Sequence, residues 1–579
     1  MSLARARVKF MPRISWVDLC LIVLIACGVY AMLGVAEVWI GPFRATTEIS
    51  LDSLSLLRYA FLSLFRVLVA YSFSLVFTIG YGYLAAKNRT LEPILISLLD
   101  ILQSIPVLGF MPGLVLVLVG LFPSSNLGLE LAAVLMIFTG QAWNMVFSFY
   151  SSLKGIPAEY RDLSSMLHLT PLQALSRVEL PFAANGLLWN SMLSVAGGWF
   201  FLMVIESFSL GDKDFRLPGI GSYMAVAYEQ GDGTAIILGI IAMFTLIILV
   251  DRCVWAPLVV WSERFKMQSK SEAVPPRSFV LDWIKRSKLF ENYHDSVEWL
   301  GDRMEARRDL RLKKSRRRRA IPVKKNNYSH WLLVAKIVVL LGGIALFLYG
   351  GFEIYRMLSA TESGSWWGFL RATGLTLIRV AFAVVLGSLW TIPVGVFIGT
   401  NPNWTRRLQP VVQIVASFPI PMLFPMIAFA LAGWGLSLNW GAVILLLLSS
   451  QWYILFNVIA GASLVPRELI DLARVFNIRG WHYWKAIMLP AVFPSLVNGW
   501  ITAAGGAWNA CIVAEWVQSG DRVMKAQGIG ASISLAAQQG DYSGLAGAIV
   551  VMVVTVVLLN RFFWDALYRM AESRFRMEM

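Results

Sequence analysis

Arg66 and Glu206, and again Arg379 and Glu515, stand inside long apolar stretches of this chain. Charge within a bilayer is costly, so such groups mark either a transport path or a structural pair. On the first reading the arginines attract an anion, whose charge needs a fixed partner in a low-dielectric path. On the second, each arginine pairs with a glutamate and locks two helices. A duplicated pair that balances itself favours the lock. Uncharged residues in or beside the neighbouring stretches are further path candidates: Ser104, Asn144, Trp199, Ser417, Tyr453, Trp508 and Asn509. Other chemistry is poorly provided for. Cys20, Cys27, Cys253 and Cys511 form no close pair, and His168, His294, His330 and His482 lie outside the apolar stretches, so no metal site is expected. The chain has no G-x-x-x-x-G-K-[ST] phosphate loop, so it should bind and hydrolyse no nucleotide itself.

The elements that must position these residues are membrane helices. Hydrophobic residues make up 57% of the 579 and charged residues 15%, against about 25% charged in ordinary soluble domains. The net charge of +15 is unevenly spread, with +10 falling between Ser262 and His330. Positive charge concentrated beside apolar spans follows the positive-inside rule and argues against nucleic acid as a partner. Six stretches long enough to cross a bilayer precede that basic segment, roughly 16–40, 56–86, 92–122, 127–152, 185–210 and 234–257. Six follow it, roughly 331–355, 366–399, 408–434, 438–463, 494–518 and 543–564. The expected fold is all-α and polytopic, with about 12 transmembrane helices in two parallel-repeat six-helix halves. Residues 1–257 make the first half, 258–330 a basic cytoplasmic linker and 331–579 the second half. Pro106 and Pro112 in one third span, and Pro419, Pro421 and Pro425 in the other, predict kinks that face protein or a cavity. Arg5, Arg7, Lys9 and Arg13 precede the first span, which is read as a retained helix. With both termini in the cytoplasm, Lys87, Arg89, Arg406, Arg407 and the loops 153–184 and 464–493 fall inside. The run Arg316–Arg319 could draw anionic headgroups at about 1 kcal/mol per basic residue, or serve only to fix topology.

The two halves are copies. An offset of 309 residues superposes them without a gap from Pro157 to Asp232. Trp199 falls on Trp508, Glu206 on Glu515, Gly219-Ile220-Gly221 on Gly528-Ile529-Gly530, and Gln230-Gly231-Asp232 on Gln539-Gly540-Asp541. Gly211-Asp212 falls on Gly520-Asp521, and Trp143 on Trp452. Chance matching of apolar sequence would give Leu, Val and Ala instead. An offset of 313 pairs Arg66-Val67 with Arg379-Val380, Thr78 with Thr391, and Pro106 and Pro112 with Pro419 and Pro425. Six spans is an even number, so both copies have one orientation and a pseudo-twofold axis along the membrane normal. The copies differ at Asn144/Tyr453 and Phe200/Asn509, so a path between them would be asymmetric.

The segments 157–181 and 466–490 resemble the cytoplasmic loop of binding-protein-dependent ABC importer permeases. That family's pattern is E-A-A, three residues, G, nine residues, I-x-L-P. Asp471-Leu472-Ala473, Asn477, Ile487 and Leu489-Pro490 keep its spacing, as do Asp162-Leu163-Ser164, His168, Val178 and Leu180-Pro181. Asn and His in place of glycine still suit a left-handed turn. Trp199, Glu206 and Gly219-Ile220-Gly221, with their copies and the stretches Leu64–Val67 and Leu377–Val380, resemble the nitrate, sulfonate, taurine and bicarbonate branch. The resemblance implies a permease subunit importing a small anion across a bacterial cytoplasmic membrane. It also implies two copies of a separate ATPase, which carry the ATP and Mg, and an external substrate-binding protein. Coupling helices of about 159–168 and 468–477 would dock on the ATPases through Glu159, Asp162, His168, Glu468, Asp471 and Asn477. Each Glu and Asp lie three apart, on one face near a helix N-terminus, where negative charge is favourable. A secondary transporter or channel with duplicated repeats is the alternative, and it would leave the duplicated loop without a purpose.

Overall fold

The computed structural model describes residues 16–167, 169–211, 213–265, 278–287, 328–519 and 522–575. His168, Asp212, Gly520, Asp521, the run 316–319 and the side chain of Ser104 lie outside the described residues. Long helices follow the apolar stretches. In the first half they are α1 (Trp16–Ile40), α2 (Ser53–Lys87), α3 (Glu92–Ser104), α4 (Met111–Leu121), α5 (Leu127–Lys154), the short α6 (Ala158–Met166), α7 (Pro171–Ile205), α8 (Ile220–Gln230) and α9 (Gly233–Phe265). A six-residue α10 (Phe279–Ile284) follows. The second half repeats the order as α11 (Tyr328–Ser359), α12 (Ser363–Thr400), α13 (Pro402–Ala416), α14 (Phe424–Gly433), α15 (Leu438–Ser463), α16 (Arg467–Val475), α17 (Gly480–Ala514), α18 (Ile529–Gln539) and α19 (Tyr542–Ala571).

Among the described residues, eight helices are long and apolar enough to cross a membrane, or nine if the bent pair after Pro402 is one span. That test does not reach the expected twelve. The other three expected positions hold α1, α11 and the broken pair α3–α4. Both third spans are interrupted where the prolines predicted. In the first half a 3-10 turn at Val107–Gly109 separates α3 from α4. In the second, Ile420–Leu423 forms the turn and the chain bends by 62°.

Two boundaries differ from expectation. The fifth spans begin at Pro171 and Gly480, well before 185 and 494, and stop at Ile205 and Ala514. The early start follows from a π turn, Leu175–Glu179 and Trp484–Met488, directly before each Leu-Pro. Proline cannot donate and crowds the preceding carbonyl. A local i→i+5 turn widens the ladder there, so the helix continues through it. After each fifth span come two short antiparallel strands, β1 (Ser207–Leu210) with β2 (Lys213–Arg216), and β3 (Trp516–Ser519) with β4 (Arg522–Lys525). These hairpins are the β content of an otherwise helical chain among the described residues.

The repeated Gln-Gly-Asp is a corner. Gly231 and Gly540 end α8 and α18 at φ +67 and +66, the left-handed conformation that glycine adopts without strain. Asp232 and Asp541 then cap the next helix, accepting from Thr234 N (2.9 Å) and Gly544 N (2.9 Å).

The chain forms two units. One is drawn from Met1–Ala36, Arg252–Val260 and Glu272–Arg356, where the Ser287 hydroxyl donates to buried Asp18 at 2.6 Å. The other, Glu37–Asp251, Trp261–Ser271 and Met357–Met579, holds the paired cores of both copies. Within it α2 packs on α5 and α5 on α7, and α12, α15 and α17 repeat that arrangement. The copies meet directly. Phe244 stacks on Phe418 at 4.4 Å, Tyr228 donates to Met422 O at 2.9 Å, and Gly211 N donates to Ala537 O at 2.9 Å.

Candidate functional site

Each copy buries one arginine on its second span. Arg66 is fully buried and donates to Glu130 through Nε (2.6 Å) and Nη2 (2.7 Å). Its Nη1 donates to Glu206 (2.8 Å) and to Pro218 O (3.0 Å). Ser63 donates to Glu206 Oε1 (2.6 Å), and Gly221 N donates to Oε2 (2.7 Å). The second copy matches with two changes. Arg379 Nη1 donates to Glu515 (2.7 Å), and Thr376 and Gly530 N take the places of Ser63 and Gly221. Where the first copy has Glu130, the second has Asn439, which accepts from Arg379 at its side chain (2.8 Å) and its backbone carbonyl (3.1 Å). Each buried charge thus meets an opposite charge and hydrogen bonds, which buried ions require. The geometry is that of a lock between spans two, four and five and the turn into the following helix. The repeated Gly-Ile-Gly belongs to it: a Cβ on Gly219 or Gly528 would lie 2.2 Å from the carboxylate of Glu206 or Glu515.

A cavity of about 130 Å³ lies at the seam between the copies, away from both locks. Asn144, Tyr453, Trp508 and Asn509 line it, together with Trp143 and Ser194. None of the described residues lining it is acidic, basic or histidine. Asn509 accepts from Val107 N at 2.7 Å, tying α17 to the break in the opposite copy's third span. Tyr453 reaches across from α15. Its ring covers Gly506, where a Cβ would sit 2.8 Å from it, and its hydroxyl faces Gly197 of α7. Ser194 is one turn before Gly197 on that helix, 2% exposed, and its hydroxyl has no hydrogen-bond partner among the described residues. Nearer the hairpins a second cavity, about 300 Å³, is also walled by both copies and includes Asp214, Arg216, Glu229 and Gln518.

Of the remaining path candidates, Trp199 is buried but does not line the central cavity. Ser417 turns its hydroxyl back to Gln413 O at 2.8 Å, at the bend after α13. Ser104 is the last residue of α3. Glu130 and Ser194 were not singled out from sequence. For Glu130 a signal existed: it is a carboxylate in the apolar stretch 127–152, with Asn439 at the 309 offset.

The loops between spans four and five carry α6 and α16, close to the expected coupling helices. Glu159, Asp162, Glu468 and Asp471 are solvent-exposed, and Asp471 pairs with Arg474 at 3.1 Å. Asn477 has φ +51, so asparagine does take the left-handed turn expected of a glycine there. Beside it, Val475 and Phe476 are 81% and 69% exposed, and Met166 and Leu167 are 77% and 62% exposed at the matching place. Large apolar side chains left bare on a short polar helix mark a contact surface.

The model of the family described as "Binding-protein-dependent transport system inner membrane component" matches the chain twice, at residues 78–254 and 391–577. Among similar proteins, the bicarbonate transport system permease protein CmpB of Synechocystis sp. is 29% identical over 201 residues, covering 34% of this chain and 67% of CmpB. The nitrate import permease protein NrtB of Leptolyngbya laminosa is 27% identical over 202 residues, covering 35% of this chain and 67% of NrtB. A solved structure of the inward-facing MetNI methionine ABC transporter aligns at 22% identity over 36% of this chain and 99% of its own, with a TM-score of 0.31. With two tandem matches to one family model spanning more than half of its length, the chain belongs to the binding-protein-dependent transport system inner membrane components.

Proposed function

We propose that this chain is the complete membrane path of an ATP-driven importer of a small anion, with the work of a two-permease assembly done by one polypeptide. The observation that carries the reading is the cavity at the seam, walled by equivalent helices of both copies. Its relatives named for bicarbonate and nitrate support a small oxyanion as the solute. Two copies of a separate ATPase dock on α6 and α16, covering Met166 and Leu167 on one side and Val475 and Phe476 on the other. Glu159, Asp162, Glu468 and Asp471 face the same partners. An external binding protein delivers solute to the hairpin side, and both termini lie in the cytoplasm. ATP and Mg belong to the partners.

The test replaces Val475 and Phe476, and separately Met166 and Leu167, with serine in the full chain. Each pair should abolish solute-driven ATP hydrolysis by the reconstituted complex while leaving the melting temperature of the membrane part unchanged. Normal coupling in both variants would overturn the docking assignment.

A further inference from the structure

The fixed cations nearest a plausible anion path are spent. Arg66 and Arg379 are held in buried locks, Arg216 of the second cavity pairs with Glu229 at 2.7 Å, and no Lys, Arg or His among the described residues lines the central cavity. What it offers instead are neutral donors. Ser194 and Tyr453 contribute hydroxyls, and Asn144 an amide. The Ser194 hydroxyl is almost fully buried and unpartnered among the described residues, which is costly unless something else accepts from it. Tyr453 is held over Gly506 so that its hydroxyl faces the helix carrying Ser194, one turn away. The donors are unequally supplied: the 309 offset puts Ala503 opposite Ser194 and Asn144 opposite Tyr453, so the two walls differ.

We infer that Ser194, Tyr453 and Asn144 form a transient solute site that selects a monovalent oxyanion over a divalent one by lacking a fixed charge. This rests on the anion-import reading above. The desolvation penalty of an ion grows with the square of its charge. Neutral donors can replace part of the hydration of a monovalent ion. Without a cation they leave most of a divalent ion's loss uncompensated. The volume agrees with a small solute, since sites for drug-sized ligands run about 300–1,000 Å³. Neutral donors also hold weakly, and a pathway site must release what it binds.

The full chain in lipid nanodiscs is to be tested for binding of radiolabelled bicarbonate by equilibrium dialysis, with nitrate and sulfate as competitors. Nitrate should displace the label and sulfate should not, at equal concentrations up to tenfold above the label's half-saturation. Ser194→Ala and Tyr453→Phe should each weaken binding at least fivefold, and Ser194→Thr should restore it. Asn144→Lys should let sulfate compete. Equal competition by sulfate in the wild type, unchanged binding in both deletion variants, or no binding of either monovalent ion would overturn the site. ATP-driven uptake by the reconstituted complex separates the two claims. Anion uptake that persists while the variants bind normally defeats the site and leaves the importer. No uptake of any anion defeats the importer reading itself.

Discussion

The two charge locks are built on one plan and differ at two positions. In the first copy a guanidinium lies between two carboxylates, Glu130 and Glu206. In the second it lies between the Glu515 carboxylate and the Asn439 amide and carbonyl. Serine and threonine exchange beside the shared glutamate, and each also accepts from the backbone N–H of the next helix, at Ile220 or Ile529. What both copies keep is the arginine, the fifth-span glutamate and the glycines that make room for it. What has drifted is the third partner. Duplication within one chain allows that drift, since each copy answers only for its own place. The same freedom appears at the seam, where Asn144 faces the cavity from one side and Tyr453 from the other.

Removing the arginines should break the comparison most visibly. Stripping one partner from a buried ion pair typically costs about 3–5 kcal/mol, because the other charge is left uncompensated. Arg66→Ala strands two carboxylates, and both described hydrogen bonds to the Glu130 carboxylate come from Arg66. Arg379→Ala strands one, Glu515, which keeps its bonds from Thr376 and Gly530 N. Thermal unfolding of the purified chain should therefore show a larger loss for Arg66→Ala than for Arg379→Ala. Equal losses would mean that the third partner carries no weight.

Next in size is the seam. Overpacking a filled site costs about 1–3 kcal/mol. A Cβ on Gly506 would meet the Tyr453 ring at 2.8 Å, whereas one on Gly197 would stand 3.7 Å from its hydroxyl, in ordinary contact. Gly506→Ala should displace Tyr453 and lower solute uptake several-fold, with a larger loss than Gly197→Ala, whose methyl narrows the cavity without moving the ring. Similar uptake in both would show that Tyr453 is not where transport needs it.

How much of this the sequence disclosed depends on what kind of residue carried it. Gly231 and Gly540, at positive φ, and the Leu-Pro pairs are places where backbone geometry admits few residue types, and at Gly219 and Gly528 a Cβ would strike a glutamate carboxylate, so the copies share the letters and the offset exposes them. The broken third spans were legible for the same reason, through their prolines. The hairpins were not, because four-residue strands such as Ser207–Leu210 are too short to show a period beside a long apolar helix. Glu130 escaped because its copy is an asparagine. Ser194 escaped for a physical reason. Serines in membrane helices commonly donate to a carbonyl four residues back, as Ser191 does to Leu187 O at 2.8 Å. A hydroxyl that fails to do so cannot be told from sequence.

The smallest expected effect is the sharpest test of how the locks differ. Glu130→Gln gives the first lock the charge composition of the second: one cation, one carboxylate and one amide. The substitution loses one acceptor toward Arg66, since an amide offers one oxygen and turns its NH₂ toward the other guanidinium nitrogen. It also removes a second negative charge from a buried site already served by Glu206. A hydrogen bond to a charged group contributes roughly 1.5–3 kcal/mol net, and loss of the second buried carboxylate offsets part of it, so stability should fall by about 1 kcal/mol, below the loss for Arg66→Ala. Thermal unfolding of the two variants side by side measures that gap. If Glu130→Gln proves as damaging as Arg66→Ala, the two-pronged grip of Glu130 on Arg66 governs the first lock. Charge balance would then govern only the second, where Asn439 already does without the extra carboxylate.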